Sequence, residues 1–326
     1  MELKLFDNGK LSLSTTSAVA VTAVVAVGSM MIMYRRSSNA MKSEKKVTRT
    51  WETRVVRDHG PLKNVWPNVL YTLEAPGCSM GPPVRNMHIY RVPDGSNRLV
   101  VYNGVSISDS TLKEIEILGT PTILVVPNKT HREDAAIWKN KFPNMLVVCP
   151  SIAKLESLQE VNVEMTIEEW VKTGEWSPFV TCKAIDGWHE YELVLEVQLE
   201  KIGKDKKEDS GKIAMILCDL LFTIVDCPKM NLIGKLISWF FDSSIELPSD
   251  PTTTIIIPAV TRIARLFVIK DWKEAEQWYR NYASEWGTSI AVILVGHGVP
   301  VIQVNLKDGC TKALDGVADQ LMKPRW

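Results

Sequence analysis

Leu118-Gly119-Thr120-Pro121-Thr122-Ile123-Leu124-Val125-Val126-Pro127-Asn128-Lys129-Thr130-His131-Arg132-Glu133-Asp134 is the stretch whose reading decides the fold. A helical pattern from Ser110 to Leu118 stops at Gly119, and Gly119-Thr120-Pro121 turns the chain into a β-branched apolar run, Thr122 to Val126. A polar loop follows, and a second helical pattern runs from Asp134 to Lys141. A short apolar strand between two helices is the signature of an α/β domain.

The same alternation extends in both directions. Strands are expected at Met87 to Val92, Leu99 to Tyr102, Leu146 to Cys149, Val180 to Ile185, Tyr191 to Leu199, Ile213 to Cys218 and Ser289 to Val295. Asp94-Gly95 joins the first two as a tight hairpin. In the stretch from Tyr191 to Leu199, Glu192, Val194 and Glu196 alternate with Leu193, Leu195 and Val197, which predicts an antiparallel strand with one face in solvent. The charged run Lys201 to Lys212 reads as an exposed loop. Thr166-Ile167-Glu168-Glu169 is a capping box that opens a helix. Further helices are expected at Asn231 to Phe241 and Asp271 to Glu285. The aromatic stripe of the last, Trp272, Trp278, Tyr279, Tyr282 and Trp286, reads as core.

Ahead of this domain, Leu11 to Tyr34 carries no charge. At 1.5 Å per residue it extends about 36 Å, enough to cross a hydrocarbon core of ~30 Å. Ala26-Val27-Gly28 offers the small residues of a signal-peptide cut, but Met30 to Met33 continue the apolar run into Arg35-Arg36, the flank of a stop-transfer segment. Arg35, Arg36, Lys42, Lys45, Lys46 and Arg49 follow the span against Glu44 alone, so the large domain is expected on the cytosolic side. The same residues are candidates for contact with anionic lipid; Trp239-Phe240-Phe241 reads first as core, with contact with the headgroup region as the alternative. The endoplasmic reticulum and the mitochondrial outer membrane fit equally. The expected organisation is a short segment 1–10, a transmembrane anchor 11–34, a basic linker 35–57 and a domain 58–326.

Lys and Arg total 38 and Asp and Glu total 38, so there is no basic excess of the kind a nucleic-acid groove shows. Cys78, Cys149, Cys182, Cys218, Cys227 and Cys310 are scattered without a C-x-x-C pair, which argues for neither a zinc knuckle nor a disulfide scaffold. No Walker loop, G-x-G-x-x-G turn or G-x-S-x-G elbow is present.

The chemistry-bearing residues cluster after strands. His131 follows Thr122 to Val126, Asp219 ends Ile213 to Cys218, and His297 sits in Gly296-His297-Gly298 directly after Ser289 to Val295. Groups at strand ends of an α/β sheet converge on one edge, and two imidazoles with a carboxylate there are metal-ligand chemistry.

The order Arg85-Asn86-Met87-His88-Ile89-Tyr90-Arg91, Leu118-Gly119, Val126-Pro127-Asn128 with His131, Trp138, Phe142-Pro143 and Cys218-Asp219-Leu220 resembles the DUF4336 family, a divergent branch with a metallo-β-lactamase-like fold. The resemblance covers about residues 60 to 305. It implies an αββα sandwich, two sheets face to face with helices outside. In active members of the superfamily the strand-end histidines and a bridging aspartate hold one or two metal ions, usually zinc, which activate water against an ester, amide or phosphate. Carried over, Asp219 matches the bridging aspartate and His297 the last histidine. The first motif is broken: with His131 on its second histidine, Lys129 replaces a ligand, Glu133 the aspartate and Asp134 the last histidine, and with Asn128 on its first position His131 falls off-register and no ligand survives. Only His189 stands near the middle histidine, at an unfavourable spacing. The resemblance therefore implies a degenerate domain acting by binding or scaffolding, with no cofactor. The alternative is a hydrolase holding zinc or another divalent metal on His131, Asp134, Asp219 and His297, with Glu133 as a ligand or proton shuttle.

Overall fold

The computed structural model describes residues 49–56, 58–75, 85–189, 191–200, 211–225, 244–245, 255–261, 264–302 and 308–322. All belong to one compact unit, Arg49–Trp326. The span 11–34, the basic residues Arg35 to Lys46, the helix expected at Asn231 to Phe241 with its aromatic cluster, most of the charged loop after Glu200, Cys78 and Cys227 lie outside the described residues. Among the described residues, no helix is long and apolar enough to cross a membrane.

The larger sheet has seven strands in sequential order: β1 (Lys63–Trp66), β2 (Leu70–Ala75), β3 (Arg85–Arg91), β4 (Arg98–Tyr102), β5 (Thr120–Val125), β6 (Leu146–Cys149) and β7 (Met165–Thr166). The pairs up to β3–β4 are antiparallel, and those from β4–β5 onward are parallel. That switch follows from the connections. Asp94 to Ser96 close a hairpin between β3 and β4, where the Asp94 carboxylate accepts the Ser96 N–H at 2.8 Å. The next two connections are helices, α1 (Asp109–Leu118) and α2 (Ala135–Lys141), which return the chain for parallel pairing. The short α3 (Lys154–Ser157) lies between β6 and β7, and α4 (Ile167–Trp170) follows β7. Thr166 caps α4 with the expected reciprocal bonds to Glu169.

The second sheet runs β14-β13-β10-β9-β8, from β8 (Val180–Lys183), β9 (Val194–Gln198), β10 (Ile213–Ile216), β13 (Ile290–Leu294) and β14 (Val301–Ile302). A two-stranded ladder joins β11 (Ile224–Val225) to β12 (Ser244–Ile245). The long helices here are α5 (Trp272–Trp286) and α6 (Gly309–Met322).

The period-two alternation of side chains along each strand separates three cores. Tyr90, Val100, Tyr102, Ile123, Val125 and Val148 of the first sheet meet Leu195, Val197, Ala214, Ile216, Val292 and Leu294 of the second. The opposite faces of the same strands pack outward. Met87, Ile89, Leu99, Val101, Leu124 and Val147 take Leu112, Ile115, Ile137 and Trp138 from α1 and α2. Val194, Ile213, Met215 and Ile293 take Tyr279, Tyr282, Ala313, Leu314 and Val317 from α5 and α6. The result is helix, sheet, sheet, helix: the αββα sandwich that the resemblance implied. The aromatic stripe of α5 is core at Trp278, Tyr279 and Tyr282.

The eight expected strands form, as do the helices at α1, α2, α4 and α5. The solvent face expected of Tyr191 to Leu199 does not exist. Helices α5 and α6 cover that side of the sheet, and Glu192 and Glu196 are buried at 5% and 3% exposure. Glu196 keeps polar partners there, the Thr181 hydroxyl and the Lys183 ammonium 3.5 Å away. Residues 49–56, within the stretch read as linker, belong to the compact unit. Trp51 is buried against Trp138, its Nε1 donates to Asp109 at 2.8 Å, and Arg54 stacks over its ring.

The two sheets are stitched at one edge. Asn86 N donates to Gly296 O at 2.7 Å, and the Asn86 amide donates to Val295 O and Gly298 O. His88 Nε2 donates to Val295 O at 3.0 Å. Those bonds set the segment that carries His297 against the first sheet.

Candidate metal centre

Three loops leave the sheets at this edge: 126–134 after β5, 217–220 after β10 and 295–298 after β13. The last is shaped by its glycines. A Cβ on Gly296 would lie 2.5 Å from Cys218 Sγ, and one on Gly298 would lie 2.2 Å from the Thr223 carbonyl group. Gly298 also sits at φ 107°, a region favouring glycine. The segment can therefore press against the β10 end, and His297 between the two glycines is aimed into the cleft, its ring stacked on Phe222 at 4.8 Å.

His131 Nε2 and His297 Nε2 lie 3.0 and 2.9 Å from the same oxygen, Asp219 Oδ1, and 3.3 Å from each other. With Cys218 Sγ they form a group whose ligand atoms all lie within 4.8 Å of one another. Three of the four sequence candidates are thus brought together. Asp134 is placed elsewhere: its carboxylate accepts Ser106 N at 3.2 Å and Ser106 Oγ at 3.1 Å, and lies 3.6 Å from Arg85. Glu133 is exposed, 3.9 Å from Arg85, and its carbonyl accepts from Arg49 at 3.3 Å. Lys129 points over the Tyr191 ring, and His189 is exposed. Cys218, which was not among the sequence candidates, is fully buried and within ligand reach; its position next to Asp219 at a strand end was the available signal.

The surrounding hydrogen bonds fix what each group presents. Asn103, buried and at φ 56°, uses its amide nitrogen on Asn86 O at 2.8 Å, so its Oδ1 faces His131 Nδ1 at 3.1 Å and Arg85 at 3.3 Å. An oxygen there requires the proton on His131 Nδ1, so Nε2, the atom directed at Asp219, is the nitrogen that can turn to a metal. Asp219 Oδ2 is occupied by Asn128 Nδ2 at 3.0 Å and the Tyr191 hydroxyl at 3.1 Å, leaving Oδ1 for the histidines.

Burial pulls the His131 pKa down against the opposing Asp219 charge. Burial would raise Asp219, but the charges and hydrogen bonds of His131 and His297 outweigh it and hold that carboxyl well below its ordinary range. Glu192, which the sequence reading placed on a solvent face, lies beside Asp219. Burial and the Asp219 charge push its pKa up. Its described partners are all N–H donors, so the geometry calls for the carboxylate there. His131, Asp219 and His297 put two imidazole nitrogens and a carboxylate oxygen around one point. Two imidazole nitrogens, a carboxylate oxygen and an adjacent sulfur are a donor set that fits a borderline transition metal such as zinc.

No protein-family model matches this chain, and no curated protein does. In fold it is similar to solved metallo-β-lactamases. DIM-1 is 10% identical with a TM-score of 0.47, over 82% of this chain and 99% of that one. VMB-1 is 12% identical with a TM-score of 0.46, over 82% and 100%. FIM-1 from Pseudomonas aeruginosa, in its mono-zinc form, is 9% identical with a TM-score of 0.44, over 81% and 98%.

Proposed function

We propose that this chain is a membrane-anchored member of the DUF4336 family that acts through binding, its metallo-β-lactamase-like domain holding one divalent transition metal. His131, Asp219 and His297 would hold the ion, with Cys218 in reach as a fourth donor. The observation that carries this reading is the meeting of His131 Nε2 and His297 Nε2 at one oxygen, Asp219 Oδ1, while Asn103 keeps the His131 proton on the far nitrogen. When bound, such an ion supplies a Lewis acid that polarises a carbonyl or phosphoryl oxygen. The chain's own contribution is orientation: Asn103 holds a proton on His131 Nδ1, Phe222 holds the His297 ring, and Asn128 and Tyr191 engage one Asp219 oxygen and leave the other toward the histidines.

The test is a zinc titration of chelator-treated full-length protein in detergent, read by competition with a chromophoric chelator. One ion per chain is expected, with affinity reduced about 100-fold or more in Asp219→Asn and in His297→Ala. Wild type that binds no ion at 10-fold excess overturns the reading.

A second reading is metal-dependent hydrolysis of an ester, amide or phosphate; a cavity of ≈ 1050 Å³ shares Tyr191, Glu192 and Leu220 with the surroundings of the site, and none of the four candidate ligands lines it. Tyr191 and Leu220 belong to its wall, as do Trp188, Trp278, Lys172 and Lys273. Zinc-dependent turnover of nitrophenyl esters or phosphates, lost in His297→Ala, would establish it; no turnover by zinc-loaded protein would remove it. The anchor at 11–34 and the cytosolic orientation rest on the uncharged stretch and the basic flank that follows it. Protease treatment of sealed microsomes tests both, and a fully protected domain refutes the orientation.

A further inference from the structure

The site is supported from behind by a carboxylate that the proposed metal reading leaves unused. Glu192 stands just ahead of β9, buried at 5% exposure. Its Oε1 accepts the backbone N–H groups of Cys218 at 2.8 Å, Asp219 at 3.0 Å and Leu220 at 3.2 Å. Its Oε2 lies 2.8 Å from Asp219 N and accepts Asn128 Nδ2 at 3.0 Å. Consecutive N–H groups that converge on one point form an anion-holding nest, and here the anion is a side chain of the same domain.

Asn128 extends that contact to the ligands. Its Oδ1 accepts Thr130 N at 2.9 Å, Thr130 Oγ1 at 2.7 Å and His131 N at 3.1 Å, which fixes which end of the amide is oxygen. The two hydrogens on Nδ2 are then divided, one to Glu192 Oε2 and one to Asp219 Oδ2, both at 3.0 Å. One amide therefore joins the loop that carries His131 to the turn that carries Asp219, and it does so only while Glu192 accepts its other hydrogen.

We propose that Glu192 is a positioning residue for the metal centre: it shapes the 218–220 turn through the backbone and, through Asn128, holds the Asp219 carboxylate with Oδ1 toward His131 and His297. This rests on the metal-site reading above. A buried carboxylate is costly unless nearly every lone pair is met, and the donors that meet it here lead to the two ligand-bearing loops.

Glu192→Gln separates positioning from folding. The glutamine oxygen can still take the three backbone N–H groups, so the turn keeps its main support. The new NH2 faces Asn128 Nδ2, donor against donor, and the bridge to Asp219 opens. Zinc affinity is expected to fall about 10- to 100-fold, the range for outer-shell partners of metal ligands. In metal-free protein, the ring 15N shifts of His131 and His297 should move, while those of His59, bonded to Gly60 and Ser108 and to none of these residues, stay as in wild type. Asn128→Ala cuts the same bridge from the other side and should move the same two rings, so the proposal remains testable if Glu192→Gln fails to fold. Unchanged ring shifts in these variants, or zinc affinity in Glu192→Gln within about 3-fold of wild type, overturn the positioning role. Wild type that binds no zinc, with the ring shifts still moving in the variants, overturns the metal reading and leaves the positioning of Asp219 standing.

Discussion

His88 gives a pH dependence of stability whose sign and size follow from its surroundings. It projects from β3 into the interior, 1% exposed, with Nε2 donating to Val295 O at 3.0 Å and Nδ1 accepting from Thr72 Oγ1 at 2.9 Å. Both nitrogens are satisfied in the neutral ring, and a second proton would put a charge in the interior. Burial, only partly offset by the Val295 carbonyl, lowers the pKa from 6.5 to about 4. Above about pH 6.5 both states carry a neutral ring, so this residue adds no slope. Between there and pH 4 the unfolded chain takes up a proton that the folded chain refuses, and stability falls as pH falls. At ~1.4 kcal/mol per pKa unit the whole window is worth about 3 kcal/mol. The assay is urea unfolding of the full-length protein in detergent with chelator present, at pH 7.5, 6.5, 5.5 and 4.5. Wild type is compared with His88→Gln, whose amide can still donate to Val295 but does not titrate. The difference between the two should change by ~1.4 kcal/mol per pH unit below 6.5. Parallel curves would refute the buried neutral histidine.

Other expectations follow from single contacts. Gly298→Ala places a Cβ against the Thr223 backbone at a positive φ, and should cost about 3 kcal/mol in denaturant unfolding. Gly174→Ala, which meets open space, should stay within about 0.5 kcal/mol. Thr166→Ala removes the α4 cap and should lower stability by about 1 kcal/mol, read from the urea midpoint at unchanged slope. Asp134→Asn should leave zinc affinity within about 3-fold of wild type, because that carboxylate is engaged by Ser106 and Arg85; a loss as large as that of Asp219→Asn would place Asp134 among the ligands.

The sequence by itself determined the elements that local chemistry controls. Strands such as Leu146–Cys149 and the helices from Asp109 and Trp272 follow from β-branched runs, caps and the 3.6-residue period. The fold class followed from their alternation, and His131, Asp219 and His297 were legible as site residues because each comes directly after a strand. Other parts were not legible. Lys63–Trp66 is four residues with two exposed, too short to carry a pattern. The helix Gly309–Met322 opens on Gly-Cys-Thr, although Ala313, Leu314, Val317 and Leu321 do repeat at helical spacing.

Only the tertiary structure decided which strand-end groups meet. Glu192 and Glu196 alternate as a solvent face would, and whether that face is wet depends on helices that arrive roughly a hundred residues later. Asp134 and Asp219 are both carboxylates after a strand, yet one is turned to Ser106 and the other to two imidazoles. That choice is made by long-range partners: Asn128 joins Glu192 and Asp219, and Asn103 joins Arg85 and His131. Local propensity cannot encode such contacts, because each hydrogen bond is set by the packing of two sheets rather than by neighbours along the chain.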